Sequence, residues 1–169
     1  MSISGSLIAA ALAVALFISP SLARDVRQPA SGEPAIAMSV PDNWEAAPID
    51  DGSTFSVLSP DHRIGFALTV AAPRAETIEA IARAMLSDMK GTLSGKQEAS
   101  LSGHAGETYS WTYVNPHGVK LIVTTTLVKV GDKVASCSKL EVDGNSATQR
   151  ELAESVRQSA RILPPAAGK

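Results

Sequence analysis

The chain has 169 residues, with 15 Lys and Arg against 17 Asp and Glu and a formal net charge of −2. These charges are interspersed and form no basic run, which excludes the clustered cations that a phosphate backbone or an anionic membrane surface requires. With a single cysteine, Cys137, there is no internal disulfide, so the fold must be held by packing.

Residues Leu7 to Ile18 form an unbroken apolar run, LIAAALAVALFI. Ser-Pro-Ser-Leu-Ala follows, and Arg24 and Asp25 bring the first charged side chains. An apolar run ending at a small-x-small site, here Ser21 and Ala23, has the form of a secretory signal peptide cleaved before Arg24. The run is shorter than the ~20 residues a spanning helix needs, so no transmembrane anchor is expected. The signal departs from the usual pattern in lacking Lys or Arg near Met1. The expected division is a signal peptide over 1–23, a flexible Pro/Gly/Ser-rich linker over 24–34, one domain over 35–163 and a tail over 164–169. The expected location is the periplasm or the exterior of the cell.

Within the domain, Ala35 to Val40 reads as a first strand, halted by the turn Pro41-Asp42-Asn43-Trp44. Thr54 to Leu58 and Arg63 to Ala71 read as the next two strands, the latter with Ile64, Phe66, Leu68 and Val70 on one face. Ile78, Ile81, Ala82, Met85, Leu86 and Met89 then fall on one stripe at the helical period, with Gly91 as a stop. Four further strands are expected over 96–101, 107–114, 119–130 and 133–142, the last three at hairpin spacing. Ser146 and Gln149 have the S-x-x-Q form of a capping box, and open a final helix expected to run to Pro164. The class is α+β, an antiparallel sheet of about six to seven strands with two main helices packed on it.

The chemistry-bearing residues are sparse. His62, His104 and His117 each lie in or beside a turn, and no HExxH, H-x-x-x-H or CxxC is present. No G-x-S-x-G or GxGxxG occurs, and Gly91 to Lys96 lacks the P-loop spacing and leaves a helix rather than opening one. Asp50 and Asp51 read as a solvated turn, and Cys137 as a small inert strand residue. No cofactor or metal is expected. Trp44, Tyr109, Trp111 and Tyr113 form the candidate contact surface. The last three share one strand face, either as a platform or pocket wall or as packing beneath a helix.

The order of elements, the strand–Pro–turn–Trp opening at Ser39 to Trp44 and the meander leading into a C-terminal helix resemble the Mog1/PsbP-like superfamily. That resemblance covers most of 35–163 and implies its sandwich fold and a non-enzymatic, accessory or binding role. It carries no site residues onto this chain. Three functions compete: a module binding an envelope protein, a carrier of a small apolar ligand or lipid between sheet and helix, and a hydrolase. The hydrolase requires His62 or His117 within reach of a Ser or carboxylate in a cleft.

Overall fold

The computed structural model describes residues 24–32 and 34–163. The expected signal peptide and tail lie outside these residues.

Among the described residues ten strands form two sheets, and two α-helices pack against them. The larger has seven strands in the order β3-β4-β5-β9-β8-β7-β6. These are β3 (Glu45–Ile49), β4 (Thr54–Leu58), β5 (Ile64–Ala71), β6 (Thr92–Leu101), β7 (His104–Val114), β8 (Lys120–Val130) and β9 (Lys133–Val142). The smaller sheet has the order β1-β2-β10, from β1 (Arg24–Gln28), β2 (Ala35–Val40) and β10 (Arg161–Leu163). Every strand pair is antiparallel.

Alternation along β8 and β9 gives the large sheet two apolar faces. Val128, Val130, Ala135 and Cys137 point to one core, together with β2 and helix α2 (Ala147–Gln158). Val123, Leu127 and Val134 point to the other, beneath helix α1 (Ile78–Asp88). This is why apolar residues stand side by side in these strands, Leu127 with Val128 and Val134 with Ala135: each strand is covered on both sides.

Both helices carry the caps their sequences specify. Thr77 accepts from the Ala80 amide at 3.1 Å to start α1. A Schellman arrangement ends it, with Gly91 N–H donating to Leu86 O (3.0 Å) and Lys90 N–H to Ser87 O (3.1 Å). Lys90, not the expected Gly91, takes the left-handed conformation there (φ 51°). Ser146 and Gln149 form the expected capping box of α2.

Three segments differ from expectation. Residues 24–28, expected within a flexible linker, form β1 and pair along their whole length with β2. Val26 and Gln28 turn inward, Gln28 Nε2 donates to Gly52 O at 2.6 Å, and Asp25 is held by Ser39 and Arg161. Residues 45–49, given no element from sequence, form the edge strand β3, where Pro48 is tolerated because one side of an edge strand needs no donor. Helix α2 ends at Gln158 rather than running to Pro164. Ser159 Oγ accepts from Ser39 N–H (2.9 Å) and donates back to Ser39 O (3.0 Å), turning the chain into β10. Ile162 thereby enters the core and Leu163 stays half-buried.

Candidate binding surface

The aromatic residues named from sequence do not present an open surface. Trp44, Tyr109 and Trp111 are 4%, 3% and 1% exposed, and Tyr113 packs half-buried in the same cluster as Tyr109 and Trp111. The structure brings Tyr109, Trp111 and Tyr113 together on β7, as their alternation requires, but places α1 over them. Trp44 lies apart, stacked on Phe66 at 6.2 Å between ring centres, in the core on the other side of the sheet. The physical reason is area: α1 has one apolar stripe to bury, and three large rings on one strand face are the surface that accepts it.

Around this packing runs an ionic seam. Lys96 on β6 approaches Glu107 at 2.9 Å and Glu79 of α1 at 3.3 Å, and lies 5.5 Å from the Tyr109 ring centre. Tyr109 donates its hydroxyl to Glu107. The bonds from Tyr109 and then Lys96 hold the Glu107 carboxyl below its ordinary range. The Lys96 ammonium is raised, first by Glu107. The seam fastens α1 to the sheet at the β6–β7 side.

On the opposite flank α1 leaves the sheet uncovered. An open cleft of about 340 Å³ lies there, between α1 and the β4–β5–β9 part of the sheet. Ile81, Ala84 and Met85 form the helix wall, Thr69 and Ser136 belong to the sheet wall, and the β5–α1 connection at Pro73 closes one end. Leu127 and Val134 contribute buried apolar surface, while Asp50, Arg74 and Asp88 line it as exposed charged residues. This is an apolar depression with charges along its edge, the general form of a binding pocket. Sequence reading missed it, because its walls come from five separate segments. The available signal was length: an eleven-residue helix is too short and narrow to cover one face of a seven-stranded sheet.

The cleft contains no histidine or cysteine. His62 lies elsewhere, exposed, with Nε2 at 3.9 Å from the equally exposed Glu45 carboxylate, outside hydrogen-bond reach. His117 sits in the β7–β8 turn, its amide donating to Asn115 Oδ1. Neither meets the geometry a hydrolase requires. Cys137 is buried, and burial pushes its thiol up to about 12, so it carries no thiolate nucleophile at neutral pH. Among the described residues no three of His, Cys, Asp and Glu gather as a metal site, and no helix is long and apolar enough to cross a membrane.

No protein-family model matches the sequence, and no curated protein matches it either. Solved structures do match the fold. LpqN of Mycobacterium tuberculosis, involved in cell envelope biogenesis, superposes with a TM-score of 0.55 at 16% identity, over 83% of this chain and 91% of LpqN. PsbP of the cyanobacterium Synechocystis gives 0.58 at 10% identity, over 76% of this chain and 86% of PsbP. The Ran-binding protein Mog1p of Saccharomyces cerevisiae gives 0.55 at 10% identity, over 82% and 94%. With two helices on an antiparallel seven-stranded sheet and a small second sheet beside it, this chain has the Mog1/PsbP-like α+β fold.

Proposed function

We propose that this protein is an exported, non-catalytic module that binds another protein of the cell envelope through the cleft beside α1. The observation that carries this reading is the cleft itself: open and apolar, with exposed charges along its edge and neither histidine nor cysteine in its lining. Such a depression accepts one or two apolar side chains of a partner, while Arg74, Asp50 and Asp88 select its orientation. The envelope role of LpqN and the Ran binding of Mog1p, proteins of the same fold, agree with a binding task. Export rests on the apolar run before Arg24.

A second reading is kept for one reason. The cleft volume, about 340 Å³, also suits a small apolar molecule, since small-molecule pockets begin at roughly 300 Å³. Ala84→Arg separates binding from folding. Ala84 is exposed on α1, so the longer side chain fills the cleft without entering the core. Chain isolated from its host should carry a partner polypeptide that the A84R variant loses at unchanged thermal midpoint. A small-molecule adduct lost in the same way would replace the first reading with the second. Complexes equally abundant in both variants would remove the cleft from either.

A further inference from the structure

The two edges of the large sheet are not alike. β3 is short and interrupted by Pro48, which blunts it against pairing. β6 spans Thr92–Leu101 without a proline, and Lys96, Gln97 and Glu98 are exposed along it. Its sequence from Leu93 to Leu101, LSGKQEASL, reads nearly the same in reverse, with Lys96 exchanged for Glu98 and Gly95 for Ala99. A bulge between Leu93 and Gly95 shifts the face of Leu93, so the matched stretch is Gly95 to Ala99.

We propose that β6 is a homodimer edge, pairing antiparallel with β6 of a second copy about a two-fold axis through Gln97. In that register Lys96 of each copy lies directly across from Glu98 of the other, on the same sheet face. Within one chain Glu98 is placed badly. Its cross-strand neighbour on β7 is Glu107, a like charge directly opposite, and among the described residues Glu98 has no ion-pair partner. Lys96 contacts Glu107 and Glu79 and lies beside Tyr109, so the second copy's Lys96 brings a cation to the one member of this cluster without a partner, Glu98. The free N–H and C=O groups of the β6 edge complete a ladder from one sheet into the next. The matched ladder is short, so the association is weak and sensitive to salt.

Sedimentation equilibrium on the wild type and on Glu98→Lys tests this. The substitution sets Lys across from Glu107 within the chain, so the monomer holds its thermal midpoint or gains. In the dimer it sets Lys96 against a lysine, twice, and raises the dissociation constant by more than about tenfold. Gln97→Cys gives an independent reading. On the axis the two Cα atoms stand about 4.5–5.5 Å apart, within disulfide range, so mild oxidation yields a crosslinked dimer while buried Cys137 stays reduced. A wild type that remains monomeric at high micromolar concentration overturns the proposal, even if the edge then captures an extended segment of another protein. So does a dimer that E98K leaves intact, or a Q97C chain that does not crosslink.

Discussion

A methyl group on Gly106 would sit 2.0 Å from the carbonyl oxygen of Leu127, so β7 and β8 approach there only because the side chain is absent. Gly106→Ala forces the strands apart and is expected to cost about 1–3 kcal/mol, read as a lower urea midpoint. Lys139 and Glu141 show the opposite kind of constraint. Both are at least nine-tenths buried, 2.7 Å apart, and Glu141 Oε1 has no hydrogen-bond partner. Lys139→Ala leaves that carboxylate uncompensated and is expected to cost about 3–5 kcal/mol, whereas the pair Lys139→Met with Glu141→Leu is expected to be near neutral. Glu154, beside them on α2, is held at about 2, first by its bond from Arg157. A folded-state value below the unfolded one makes its contribution complete above about pH 4.3, and lost as the pH falls toward 2. Acid titrations of stability should therefore fall across that window, and fall less steeply in Glu154→Gln.

At the scale of elements, each helix depends on a named start. Ser146→Ala removes the Gln149 amide's acceptor and is expected to cost about 1 kcal/mol, with helix content at α2 reduced first in hydrogen exchange. Elements with a strong local signal were readable from sequence: α1 from its stripe, α2 from its capping box, and the three long strands from alternation. The β6–β7 hairpin is longer than the strands expected over 96–101 and 107–114: its strands run Thr92–Leu101 and His104–Val114 and are joined by Ser102 and Gly103, both at positive φ (51° and 81°), as a tight two-residue turn requires. β1, β3 and β10 were not readable, for different reasons. β10 owes its strand conformation to β2, far along the chain, whereas β1 and β3 pair with the strand that follows each but lack a local signal, and β3 carries a proline that sequence alone reads as a break. Residues 24–28 have only Val26 as an apolar signal, and their remaining anchors, Gly52, Ser39 and Arg161, are far along the chain.

For the whole molecule, the sheet has two faces with unequal cover. α2 and the small sheet share one, while α1 alone serves the other and is fastened by Lys96 and the β7 aromatics at a single flank. The cleft is what that asymmetry leaves. Composition and motifs excluded nucleic-acid and phosphate-loop chemistry, but the binding surface could not be read from them. Residues that sequence singles out for size, Tyr109 and Trp111, are the ones packing consumes, and the surface left open is built from ordinary residues such as Ala84, Thr69 and Ser136. The proposed binding role requires that this cleft be a contact surface. The direct measurement is native mass spectrometry of wild-type and Ala84→Arg chains isolated from the envelope fraction of the native host. Binding at the cleft predicts a second polypeptide bound to the wild type and missing from A84R. A bare wild-type chain, or a complex that A84R retains in full, would contradict it.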